Sequence, residues 1–221
     1  MRIANIYFNI AVNGFDITNF IAPEDLKYFD LVETAGASLP YVYVQFATQN
    51  ELIVQAVQLG NTFRITIGNS PENADTFEIE CVQPSKPKNI PSNNGWLVEI
   101  AGFIGPKAYI VEQASKGYYG NSLEVCEKVI DSYFGKKEGK ANVLTDFSGI
   151  HENKLYWRRT NKTGCFFVAD TLLHTDVRPS FPLFAFDKYK NFYIKDFNEL
   201  LKEGPKYIFS PKKINCNILD A

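Results

Sequence analysis

Only two histidines, His151 and His174, are available for acid–base chemistry in 221 residues. Cys165 and His174 fall on one helical pattern and could be imagined as a thiol nucleophile and its base. Nothing around Cys165 supplies the cationic setting or sharp elbow that activates such a group. The plainer alternative is a cysteine packed at a helix start and a histidine that complements the negative end of the helix dipole. Asp30, Glu33, Glu78 and Glu80 sit in strand-like segments. Glycoside hydrolysis needs two carboxyls facing each other at a set separation, and alternation by itself accounts for these four as a polar face. Trp157-Arg158-Arg159, followed by Lys162, is a small basic and aromatic cluster. It could contact phosphates or single strands; a strand edge with solvated ends has the same composition. No G-x-G-x-x-G, G-x-x-x-x-G-K-S/T or H-E-x-x-H occurs. Cys81, Cys126, Cys165 and Cys216 are widely spaced without a C-x-x-C, which suits buried thiols in a reducing compartment better than a disulfide framework or a zinc site. No catalytic, cofactor-binding or metal-binding residues are therefore assigned, no cofactor is implied, and the expectation is a protein that is not an enzyme.

The elements that would carry these side chains are mostly strands. The organising stretch is Ser38–Gly68. In Tyr41–Phe46, Tyr41, Tyr43 and Gln45 alternate with Val42, Val44 and Phe46, the period of a strand. Thr48 and Glu51 have the spacing of a capping box. Leu52, Ile53, Ala56, Val57 and Leu59 follow at helical spacing, up to Gly60, where a left-handed stop is expected. Phe63–Ile67 alternates again. A helix this short must lie on a sheet. Its opposite face, Gln49, Glu51, Gln55 and Gln58, is polar with little charge, which suits either plain exposure or a protein contact made without desolvating charges.

Before this stretch, Ile3–Val12 and Phe15–Ile21 read as strands joined by an Asn13-Gly14 hairpin turn, and Leu26–Thr34 as a third. After it, Thr76–Val82, Trp96–Phe103 and Ala108–Gln113 read as strands. Gln83–Gly95, with three prolines, reads as a long exposed loop. Residues 1–113 thus hold about eight strand segments and one helix by pattern counting. The character changes after Ala114. Gly117–Gly120 reads as a turn, and Asn121 with Glu124 as the cap of a helix whose stripe is Leu123, Cys126, Val129, Ile130, Tyr133 and Phe134, ended by Gly135. Lys136–Lys140 reads as solvated loop and Leu155–Arg159 as extended chain. Thr163 caps a helix over Gly164–His174 with the stripe Phe166, Phe167, Asp170 and Leu173. Pro182–Asp187 and Asn191–Lys195 form a hairpin around Lys188-Tyr189-Lys190. Asp196 with Glu199 caps a short helix stopped by Gly204-Pro205, and Tyr207–Ser210 is a last strand. The fold class is β-rich α+β: a small β-barrel at 1–113 crossed by one short helix, then a smaller α+β domain at 114–221.

Composition narrows the function. Apolar residues make up 45% of the chain, enough for a core, so disorder is excluded. A net charge of −2 argues against a dedicated nucleic-acid binder. Asn5, Asn9 and Asn13 interrupt the N-terminal apolar residues, so no signal peptide is read there, and no run has the length of a membrane span. The expectation is a soluble protein made in a cytoplasm.

The order of these patterns resembles the phage baseplate or tail hub family, to which the base of the type VI secretion spike is related. Glu33, Gly36, Leu39 and Pro40 are similar to that family's E-x-x-G-x-x-L-P step into a strand. The strand Tyr41–Phe46, the helix Gln49–Leu59 and Phe63–Gly68 follow as they do there. Tyr118–Tyr133 fits the aromatic-glycine turn and helix that open the family's second domain, and Thr163–Leu173, Pro182–Lys195 and Asp196–Lys202 match its later elements in order. The resemblance implies a structural hub component of a virion tail or baseplate: a homotrimeric ring joining tail tube protein to central spike protein. It implies no membrane contact and no sequence-specific nucleic acid, although DNA could pass through the ring. The family carries two barrels per chain, and one is legible here. A longer chain, a partner, or residues after about 140 would supply the other. The alternatives are a tail-associated cell-wall hydrolase, which needs convergent carboxylates or a Cys–His contact, and a β-rich glycan- or ligand-binding module, which needs an exposed aromatic platform.

Overall fold

Alternating β-branched and aromatic residues build the N-terminal half as one antiparallel sheet. β1 (Tyr7–Val12) and β2 (Phe15–Asp16) are joined by Asn13 and Gly14, whose φ values of 48° and 84° are the left-handed pair a two-residue hairpin requires. β3 (Leu26–Val32), β4 (Tyr41–Thr48), β5 (Thr62–Gly68), β6 (Ala74–Cys81), β7 (Lys88–Ile90) and β8 (Gly95–Phe103) complete it. The order is β2-β1-β5-β6-β8-β4-β3, with β7 beside β8. The computed structural model describes residues 7–21, 25–60, 62–81, 87–90, 95–135, 142–145, 154–175 and 181–202.

The inward residues of each strand meet in one core. Ile10, Val42, Val44, Phe46, Phe63, Ile65, Phe77, Ile79, Val98 and Ile100 are all buried in it. The sheet curls around these side chains, so that Phe29 of the end strand β3 meets Phe77 of β6 with ring centroids 6.1 Å apart. Among the described residues no pairing joins β3 to β1 or β2, so the sheet is open where a closed barrel is expected from sequence. The expected return strand Phe15–Ile21 stops at Asp16. Ile17 and Ile21 turn into the core instead, through a single helical turn at Thr18–Phe20 held by Thr18 against the Ile10 backbone. Burial of two isoleucines outweighs the ladder bonds that a longer β2 would add. β6 and β8 touch only at their ends, through the pairs Glu80↔Phe103 and Cys81↔Gly102. A Cβ at Gly102 would stand 2.5 Å from the Glu80 carbonyl oxygen, so glycine permits this approach.

α1 (Glu51–Leu59) lies over the sheet as expected, but its details differ. The cap is Asn50, whose Oδ1 accepts from Leu52 N at 3.0 Å; Thr48 instead accepts from Asn50 N. Gly60 is extended (φ −73°, ψ 130°), not left-handed, and is needed because a Cβ there would meet Val12 Cγ1 at 2.6 Å. Ile53, Val54 and Val57 form the buried stripe, while Leu52 is 72% exposed.

The second half surrounds a second core. α2 (Lys107–Val111) replaces the expected strand Ala108–Gln113, because Pro106 opens a helical turn that sends Tyr109 inward against Tyr133, Phe134 and Phe186. β9 (Ala114–Gly120) absorbs the expected Gly117–Gly120 turn and pairs with β11 (Leu155–Lys162), which outruns the expected Leu155–Arg159. α3 (Ser122–Phe134) is capped by Asn121, whose Oδ1 accepts from Glu124 N at 2.8 Å, and buries Val125, Cys126, Val129 and Ile130. α4 (Gly164–Leu173) is capped by Thr163 as expected, yet its buried residues are Phe167, Val168, Thr171 and Leu172, and Phe166 and Leu173 face outward. The helix is apolar on both sides, so composition alone does not choose its inner face. β12 (Pro182–Phe186) and β13 (Asn191–Asp196) form the expected hairpin, and β10 (Asn142–Thr145) adds to β13 in parallel. Asp196 caps α5 (Phe197–Lys202) through Asn198 N and Glu199 N. β7 lies inside the expected Gln83–Gly95 loop. The Lys136–Lys140 loop, Gly204-Pro205 and the Tyr207–Ser210 strand lie outside the described residues.

Candidate assembly surfaces

The sequence candidates for chemistry are not brought together. Cys165 and His174 sit at opposite ends of α4, roughly 13 Å apart along a helix of that rise. Burial raises the Cys165 thiol above its ordinary pKa, away from the thiolate a nucleophile needs. His174 is the C-cap residue, with Nδ1 2.7 Å from the Asp170 carbonyl oxygen. His151 and Cys216 lie outside the described residues. Asp30 belongs to β3, and Glu78 and Glu80 to β6, three positions away in the strand order. Glu80 accepts from Lys107 N at 2.7 Å, and Glu78 lies 3.9 Å from Lys190 Nζ. Among the described residues no group of three or more His, Cys, Asp or Glu could hold a metal ion. No described helix is long and apolar enough to cross a membrane.

Glu33, Gly36, Leu39 and Pro40 do have a shared role: they tie the two cores together. Glu33 Oε1 accepts from Lys188 N at 2.7 Å, and Ala35 bridges Ala185. Gly36 N donates to the Phe184 carbonyl at 2.7 Å with φ at 128°, a conformation that favours glycine. Leu39 is buried in the second core, and the Pro40 carbonyl accepts from Ile104 N. The β12–β13 turn completes the joint. Asp75 accepts from Lys188 Nζ and, at 3.1 Å, from Tyr189 Oη. Lys188 is the main cause of a carboxyl held below its ordinary pKa, and Asp75 in turn raises Lys188.

The basic cluster divides by strand alternation. Arg159 points inward and is 2% exposed, donating to the Lys162 and Glu112 carbonyls at 2.7 and 3.0 Å and to Tyr133 Oη at 2.7 Å. Trp157 donates to the Gly120 carbonyl at 3.0 Å. Arg158 points outward, opposite Gly117. On that outer face Tyr119 and Tyr156 lie opposite each other, 50% and 88% exposed, with ring centroids 4.8 Å apart. The sequence signal for this pair was the alternation of Tyr118 with Tyr119 and of Tyr156 with Trp157, hidden by reading Gly117–Gly120 as a turn. A groove of about 370 Å³ runs beside it, lined by residues 115–117 and 156–159. The other outward surface is that of α1, where Leu52 joins Glu51, Gln55 and Gln58.

A curled sheet bearing one crossing helix, locked to a second α+β layer, is a fold this chain shares with solved phage tail and type VI secretion structures. The 43 kDa tail protein of prophage MuSo2 from Shewanella oneidensis is similar over 86% of this chain, at 10% identity and a TM-score of 0.54. The E. coli c3393 protein, a component of the type VI secretion system with structural similarity to the T4 bacteriophage tail proteins gp27 and gp5, is similar over 85%, at 11% identity and a TM-score of 0.50. The alignments cover 53% and 48% of those two chains, so this chain spans about half their length. No family profile matches the sequence, and no curated protein matches it. The chain thus shares its fold with a prophage tail protein and a type VI secretion component, in line with the resemblance read from its sequence.

Proposed function

We propose that this chain is a structural component of a phage tail or baseplate hub, residing in the virion and forming a homotrimeric ring between tail tube protein and central spike protein. The observation that carries it is the curled sheet left open at β2 and β3 among the described residues. Neighbouring copies would cover those edges and complete the barrel-like wall, so that no strand edge stays unpaired. Residues 1–113 form the tube-like unit and 114–221 the supporting one, joined by the Lys188–Asp75 contact. DNA could pass through such a ring without base-specific contacts. The chain acts here as a scaffold and not as an enzyme.

Native mass measurement tests this. A species of three times the 25.1 kDa chain mass, alone or with a tube or spike protein, is the expected result. A chain that stays monomeric in the presence of both would overturn it. The binding-module alternative draws support from the exposed Tyr119–Tyr156 pair, and the hydrolase alternative has no comparable observation.

A further inference from the structure

Two helices expose apolar side chains on the face turned away from their own core. Leu52 of α1 is 72% exposed, and Phe166 and Leu173 of α4 are 59% and 73% exposed. Neither face has the dense charge of a solvated helix. Glu51 is the one charge within α1, and Asp170 the one charge within α4. The outward residues recur at matching helical steps. On α1 they include Leu52, Gln55 and Gln58, and on α4 Phe166, Asp170 and Leu173.

We propose that α1 of one copy packs antiparallel on α4 of a second copy, a contact that rests on the ring reading and gives it a specific joint. A ring of identical chains closes through two different patches that fit each other. Run antiparallel, these two stripes keep step. Leu52 falls on Leu173, Gln55 on Asp170 and Gln58 on Phe166. In the middle pair an amide donates to a carboxylate whose Oδ2 already accepts from Lys162 Nζ at 2.7 Å. An amide there covers the ion pair without burying an unanswered charge of its own. Charge also sets the direction. The N-terminal end of α1, with its excess of main-chain N–H groups, lies beside the C-terminal carbonyls of α4. Parallel packing would bring like ends together. Glu51 then meets His174 at the solvent rim, where such a pair contributes little, so the two leucines carry the contact.

Native mass across a dilution series tests it, on the full chain alone and mixed with tube or spike protein. Leu52→Glu and Leu173→Lys each place a charge against a leucine, and each charge suits the dipole at its own helix end. Each variant should raise the concentration at which the trimer falls apart by about tenfold. Neither should move the melting temperature, because both side chains are exposed. The double variant puts opposite charges face to face and should recover assembly. Single variants that assemble as the wild type does, or a double variant that fails to recover, would overturn the contact and leave the ring reading standing. So would a trimer that stays intact while the variants lose capture of tube or spike protein, since the face would then belong to that protein. A wild type that stays monomeric in both mixtures would overturn the ring reading and this contact with it. A rescued assembly of two chains would keep the contact and overturn the trimer.

Discussion

Arg159 is the largest fully buried side chain in the described structure, and it is a cation. Burying a guanidinium is tolerable only because carbonyls and a phenol take its donors. Arg159→Ala should therefore cost about 3 kcal/mol or more, since acceptors are stranded as well as a bond lost. Urea unfolding measures it, and a change below 1 kcal/mol would show that water replaces the guanidinium freely. Tyr109 behaves in the opposite way. Among the described residues its buried hydroxyl has no hydrogen-bond partner, and burial raises its pKa well above the ordinary phenol value. Tyr109→Phe removes the orphan and keeps the ring contacts, so stability should hold or rise by about 1 kcal/mol. Cys165→Ala with His174→Ala should alter stability modestly and leave assembly intact; loss of a lytic activity on purified peptidoglycan, present in the wild type, would contradict the scaffold role.

Among elements, α1 offers the sharpest separation of core from surface. Ile53 is buried and Leu52 is not. Ile53→Ala should cost about 2–5 kcal/mol and Leu52→Ala well under 1 kcal/mol, read from urea midpoints. Exposure of Leu52 places an apolar group on the amide face, the composition of a protein contact more than of a solvated helix. Gln55→Glu with Gln58→Glu should then leave the melting temperature unchanged and weaken self-association or docking to a neighbouring tail protein. If light scattering and pull-down show the double variant assembling as the wild type does, α1 is only a cover on the sheet.

At the scale of the molecule, the Lys188–Asp75 contact holds the two cores in register. The aspartate's contribution is present above its ordinary value of 3.8 and is lost as pH falls through the lower folded value. The lysine's contribution is present below 10.5 and is lost as pH rises through its raised value. Both groups keep some exposure, so solvent screening limits the pair to about 1 kcal/mol or less. Asp75→Asn should lower the melting temperature at neutral pH, and its difference from wild type should shrink as pH falls below the ordinary aspartate value and vanish below the lowered folded value. A difference that persists unchanged in acid would mean that the Asn side chain disturbs packing and that the charge contributes nothing.

Local rules were enough wherever a residue acts on its immediate neighbours. Asn13-Gly14, the caps at Asn121, Thr163 and Asp196, and the alternation of β4, β5 and β6 are legible in the sequence because their partners lie within a few positions. The tertiary structure decided whatever depends on a distant surface. It turned Ala108–Val111 into helix to bury Tyr109, chose the inner face of an α4 that is apolar on both sides, set Leu52 outside and Val54 inside, and drew Ile17 and Ile21 out of a strand. The candidate surfaces divide along the same line. The composition of the basic cluster is written in residues 157–162, but its split into a buried Arg159 and an outward Arg158 required the pairing of β11 with β9. Periodicity reports that two faces exist; which one is buried depends on the free energy of packing against another part of the chain.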